Sequence, residues 1–185
     1  MSVKQHLVTA EEFWEMPEVP GKRFELVDGD VIEMSPAGAE HTRIMFMLAQ
    51  RLERFASQHG LGIAMPEGLG FVLRRDPDLV REPDVSFIAA ARISAEGLPK
   101  GYWEGPPTLA VEVVSPHDRA MEIDERVQDY LQAGTRQVWV LKPNRRAVSI
   151  YRTQEDTREL GPDAQLDGGD ILPGFTVTVG ELFEV

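Results

Sequence analysis

The chain has no cysteine, which removes disulfide bonds and thiolate metal sites from its chemistry. It also lacks any run of about 18 apolar residues, so no membrane-crossing helix is expected. The first ten residues mix Lys4, Gln5 and His6 with Val and Leu and hold no apolar signal core. A cytoplasmic location is the default expectation. The four histidines, His6, His41, His59 and His117, show no ligand spacing with one another, which counts against a histidine zinc centre. A phosphate-cradling glycine-rich loop and a Gly-x-Ser-x-Gly elbow are missing too. Lysine is scarce, occurring only at Lys4, Lys22, Lys100 and Lys142, so positive charge rests mostly on arginine.

What is present is acid. The net charge is −12, which counts against a phosphate-backbone partner without excluding a local basic groove. Arg74-Arg75, Arg145-Arg146 and the helix arginines Arg43, Arg51 and Arg54 are the candidates for local phosphate contact; each alone reads as solvated surface. The 185 residues, 42% hydrophobic, suit one domain spanning 1–185 with a sizeable core.

Local signals predict an alternating α/β order. Thr9-Ala10-Glu11-Glu12 fits a capping box opening a short helix through Met16, stopped by Pro17. Arg23–Val27 and Asp30–Met34 read as a hairpin about Asp28-Gly29. Ala39–Gln58 carries an apolar stripe at Ile44, Leu48, Leu52 and Phe55, ended by Gly60. Short strands are expected near Gly62–Met65, Leu69–Leu73 and Asp84–Ala89, with a long loop or broken helix over Ala90–Pro107. A helix over Arg119–Ala133 turns Ile123, Val127, Tyr130 and Leu131 inward. Gln137–Leu141 and Ala147–Tyr151 read as paired strands, and the segment after Thr153 as turn-rich, closing at Phe175–Val179.

One carboxylate stands out. Leu109-Ala110-Val111-Glu112-Val113-Val114 reads as a strand buried on both faces. An unpaired ionised carboxylate there costs several kcal/mol or more, so Glu112 must be neutral, paired with an arginine or holding a metal. Asp84 starts another strand after Pro83; it reads as a turn residue or as a second acid beside Glu112. Two such acids suit one Mg²⁺ or Mn²⁺, which takes oxygen ligands from one or two carboxylates. Glu25 reads as a hairpin carboxylate or a further site acid. His41, in the first turn of the long helix, reads as a surface histidine. Arg126 borders the inward stripe of its helix and is either solvated or turned back toward the acids.

In this order the residues resemble the PD-(D/E)XK restriction-endonuclease-like superfamily and, more closely, its Uma-type family of bacterial endonucleases. The resemblance rests on Phe24-Glu25-Leu26-Val27-Asp28-Gly29, Ser35-Pro36 to His41, Pro83-Asp84-Val85-Ser86, Val111 to Pro116, Tyr130 to Gly134, Val138-Trp139-Val140 and Leu172-Pro173-Gly174-Phe175. It implies a restriction-endonuclease-like α/β fold, a mixed central sheet flanked by helices. It also implies a Mg²⁺- or Mn²⁺-dependent endonuclease acting on DNA, with Asp84 and Glu112 as metal ligands and Glu25 as the additional acid on metal or water. The superfamily lysine two residues after the second acid is Val114 here. The family moves it to the next helix, four residues before the tyrosine, where this chain has Arg126. Arginine keeps the charge and the hydrogen bonds but is no general base near neutral pH. Hence two readings stand: an active endonuclease, or a catalytically silent member of the fold serving as a binding or assembly module. RNA or a small phosphodiester is the other substrate class open to the same site, and a homodimer is the family-level expectation.

Overall fold

The computed structural model describes residues 6–116 and 118–184; the expectations placed on residues 1–5 and on His117 lie outside them. Helix α1 (Ala10–Trp14) begins at the expected box, in which Thr9 Oγ1 accepts from the Glu12 N–H and Glu12 accepts from the Thr9 N–H. It ends two residues before Met16. Strands β1 (Arg23–Val27) and β2 (Asp30–Met34) form the hairpin. Asp28 and Gly29 at its tip both take positive φ, 55° and 81°, as a two-residue primed turn requires.

Helix α2 (Ala39–His59) closes on Gly60 in the left-handed region. It buries Ile44, Met45, Leu48, Ala49, Leu52 and Ala56, with Phe55 half-buried at the border. There follow β3 (Gly62–Pro66), β4 (Phe71–Arg74), β5 (Leu79–Arg81), β6 (Val85–Ala89), β7 (Trp103–Glu104) and β8 (Leu109–Val113). Helix α3 (Ala120–Ala133), β9 (Gln137–Lys142), β10 (Ala147–Tyr151), β11 (Thr157–Leu160), β12 (Gln165–Asp167) and β13 (Thr176–Thr178) complete the order. β11 and β12 stand in the segment read as turn-rich, and two features nearer the site also differ from the sequence expectation. β5 is three residues bracketed by Asp78 and Glu82, too short for a periodic signal. The Ala90–Pro107 stretch holds a 3₁₀ turn and β7, which pairs parallel with β4.

The central sheet has the order β11-β10-β9-β8-β6-β3. It is mixed, β8 running parallel to β9 and antiparallel to β6. Alternation sorts its two faces. Leu109, Val111 and Val113 turn toward α2, joining Leu48, Leu52, Val85, Phe87 and Trp139 in one apolar cluster. Ala110, Ile88, Val138 and Val140 turn toward α3, with Ile123, Val127 and Tyr130. A second sheet, β2-β1-β5-β4-β7, abuts the α3 side through Phe71, Leu73 and Leu79. Glu112 lies between Val111 and Val113 and therefore shares the α3 face with Ala110, looking toward the second sheet. This arrangement puts strand β1 and helix α3 within reach of one buried carboxylate.

Candidate active site

β6 and β8 pair with Val85 opposite Val111 and Ser86 opposite Ala110. One step further along the same register sets Asp84 opposite Glu112. β6 begins only at Val85, and the Asp84 side chain takes the place of strand backbone: Oδ2 accepts the Val113 N–H at 2.7 Å. Asp84 is thus no surface turn residue but 6% exposed, tied to the end of the buried strand. Oδ2 also lies 3.1 Å from His41 Nε2.

Glu112, 5% exposed, accepts from the Tyr130 hydroxyl at 2.9 Å through Oε1. Its Oε2 stands 3.6 Å from Arg126 Nη1. Burial pushes the Glu112 carboxyl up to about 8, with the charges of Asp84 and Glu25 adding to the rise and Arg126 opposing it. A tyrosine and an arginine therefore face Glu112 from α3. Tyr130 is raised well above its ordinary value, by burial first and then by the charge of Glu112.

Glu25 is 2% exposed, not the exposed hairpin residue of the simpler reading. Its Oε1 accepts from Arg126 Nη1 at 2.8 Å and from the Glu82 N–H at 3.1 Å. Oε2 accepts from Arg81 Nη1 at 2.8 Å. Arg81 continues to Asp129 on α3, with Nη2 at 2.6 Å and Nε at 2.9 Å from Oδ2. One carboxylate therefore joins two buried guanidinium groups and ties β1 and β5 to α3. Burial works against charge on Arg126, but Glu112 and Glu25 more than offset it and hold the guanidinium firmly protonated. The role that the resemblance gives Glu25, an additional acid on metal or water, stands beside this observed pairing with Arg81 and Arg126.

The structure brings together all four residues singled out in the sequence, Glu25, Asp84, Glu112 and Arg126. Asp84, Glu112 and Arg126 line a cleft of about 410 Å³, and Glu25 lies behind it. Two residues were not anticipated. His41 was expected at the surface, yet it is 9% exposed and lines the same cleft. Its position three and seven residues before Ile44 and Leu48 puts it on the apolar stripe, a signal available in the sequence. Burial opposes protonation of His41, but the hydrogen bond and charge of Asp84, aided by Glu67 and Asp118, raise its pKa overall. Arg81 escaped notice because β5 did.

The cleft is acid-rich. Arg23, Arg81 and Arg126 line it, against Asp84, Glu112 and five further carboxylates, Glu33, Glu82, Asp118, Glu122 and Glu125. A cation relieves such a field, and the two inner carboxylates supply the oxygen donors that Mg²⁺ or Mn²⁺ takes. Among the described residues, no three of His, Cys, Asp and Glu are grouped to hold a metal unaided. Asp84 and Glu112 could hold such an ion only with water or substrate oxygens completing its shell.

A mixed sheet between two helices, with carboxylates paired at a strand end, defines the restriction-endonuclease-like fold. A crystal structure of a putative nuclease belonging to DUF820 from Anabaena variabilis superposes with a TM-score of 0.83, covering 95% of this chain and 97% of that one at 21% identity. The chain belongs to the Uma2 family, described as putative restriction endonuclease, whose family model matches residues 10–180. No curated protein matches by sequence. Among the described residues, no helix is long and apolar enough to cross a membrane.

Proposed function

We propose that the chain is a divalent-metal-dependent endonuclease that hydrolyses phosphodiester bonds in DNA, with Mg²⁺ or Mn²⁺ held by Asp84 and Glu112. The observation that carries the reading is the cross-strand placement of these two buried carboxylates in one cleft. Among the described residues, neither has a cationic side chain hydrogen-bonded to it apart from His41 on Asp84. When bound, the ion supplies Lewis-acid activation of water and of a phosphate oxygen.

The protein's own groups divide the remaining work. Tyr130 fixes one oxygen of Glu112 and leaves Oε2 on the side of Arg126. Arg126 presents a permanent positive charge at the cleft wall, where a phosphate gathers negative charge in the transition state. Glu25 orients that guanidinium from behind, and Arg81 with Asp129 orients Glu25. Arg126 withdraws no proton near neutral pH, so the proton of the attacking water leaves to solvent or to a substrate oxygen. A homodimer acting in the cytoplasm would set two such sites on two strands, and sedimentation with and without DNA reads that stoichiometry.

A second reading is favoured by the acid excess of the cleft and by arginine in the lysine position: a nuclease-fold protein without activity that binds or assembles. One experiment separates the two. Supercoiled plasmid and an RNA oligonucleotide are incubated with Mg²⁺ or Mn²⁺ and wild type, Asp84→Asn or Glu112→Gln. Metal-dependent plasmid nicking lost in both variants supports the endonuclease. RNA cleavage without nicking moves the substrate class. Cleavage unchanged in both variants removes the site, and absence of any cleavage favours the silent reading.

A further inference from the structure

His41 occupies a position built for an apolar side chain. It stands on the α2 stripe with Ile44, Met45 and Leu48, all buried, and its own side chain is 10% exposed. A leucine there would pack without leaving polar atoms to satisfy. The imidazole instead leaves Nδ1 buried with no hydrogen-bond partner among the described residues, an arrangement that works against stability. Among the described residues, its one hydrogen bond is Nε2 to Asp84 Oδ2 at 3.1 Å. The carboxylate is an acceptor, so Nε2 carries the hydrogen and donates it.

That contact acts on the carboxylate's rotation. The terminal torsion of aspartate is broad and roughly two-fold, so a single hydrogen bond leaves it loosely set. Oδ2 receives two donors from different elements, the Val113 N–H of β8 at 2.7 Å and His41 of α2. Neither donor touches Oδ1. Two donors on one oxygen fix the plane of the group and keep the other oxygen available to the cleft shared with Glu112.

We infer that His41 is a positioning residue for the metal centre, acting from α2 by locking the rotamer of Asp84. The inference rests on the proposed metal-holding role of Asp84 and Glu112. It assigns the His41 position to ion affinity rather than to packing alone, as outer hydrogen-bond partners of ligating groups do elsewhere.

The test is Mn²⁺ titration by calorimetry of the wild-type chain and of Asp84→Asn, His41→Leu and His41→Gln. The glutamine amide can set a donor near the place of Nε2, whereas leucine fills the space without one. The expected result is loss of binding in Asp84→Asn, weakening of about tenfold or more in His41→Leu, and recovery to within about threefold of wild type in His41→Gln. Should leucine fail to fold, His41→Asn, whose amide falls short of Asp84, takes its place with the same expectation. Binding lost in Asp84→Asn but unaltered by His41→Leu overturns the inference and leaves the metal site standing. Equal weakening in the leucine and glutamine variants also overturns it, because packing then decides. Binding unaltered in Asp84→Asn overturns the metal site and the inference together.

Discussion

Replacing Glu112 by glutamine isolates the energetics of the buried carboxyl. The folded-state pKa is raised from the ordinary 4.5 to about 8. Stability drawn from the protonated carboxyl is therefore fully present below about pH 4.5 and is lost as pH rises through about 8. Each pKa unit corresponds to about 1.4 kcal/mol, so the full rise sets a ceiling of about 5 kcal/mol. Relaxation and water entry around a buried charge reduce this, and about 2 kcal/mol is the expected measured effect. Glutamine keeps the shape and an acceptor for Tyr130 but has no proton to lose. Thermal unfolding in EDTA at pH 5 and pH 9 should thus show Glu112→Gln gaining on wild type with rising pH. For a chain of this size about 2 kcal/mol is about 4–8 °C in midpoint. A difference between the two proteins that stays constant from pH 5 to pH 9 refutes the reasoning.

Three further outcomes follow from the same geometry. Glu25→Ala leaves Arg81 and Arg126 buried without their shared anion and should lose about 3–5 kcal/mol of stability in urea unfolding; a loss near zero would mean that water already screens the pair. Arg126→Lys keeps the charge and adds a group able to release its proton, so plasmid nicking should rise toward alkaline pH, by up to about 100-fold; a rate no higher than that of Arg126→Ala contradicts the charge-stabilising role. Gly62 has φ of 146°, and a Cβ there would sit 2.0 Å from the Ile88 carbonyl oxygen. Gly62→Ala should therefore lose at least the roughly 1–3 kcal/mol of a strained backbone, read as a lowered melting midpoint.

Much of this was legible in the sequence where a short-range rule operated. Thr9 and Glu12 announced α1, Asp28-Gly29 announced the hairpin, and the spacing of Ile44, Leu48 and Leu52 announced α2. Glu112 stood out as a buried carboxylate needing partners because burial of an unpaired charge is costly enough to require an explanation. What stayed hidden depended on long-range assembly. Arg81 matters through Glu25, 56 residues away, and Asp129, 48 residues away, and its strand is too brief for periodicity. His41 is buried where a polar residue in a first turn is normally solvated; only its stripe position hints at burial, and its partner Asp84 lies 43 residues on. The pairing of Glu25 with two arginines likewise required the second sheet to be placed against α3.

The central claim is that Asp84 and Glu112 hold one divalent ion, and crystals soaked in Mn²⁺ test it most directly. An anomalous difference peak contacting both carboxylates in wild type, and absent in Asp84→Asn, is the predicted result. A clean map at the cleft, or a peak that touches neither residue, would contradict the account.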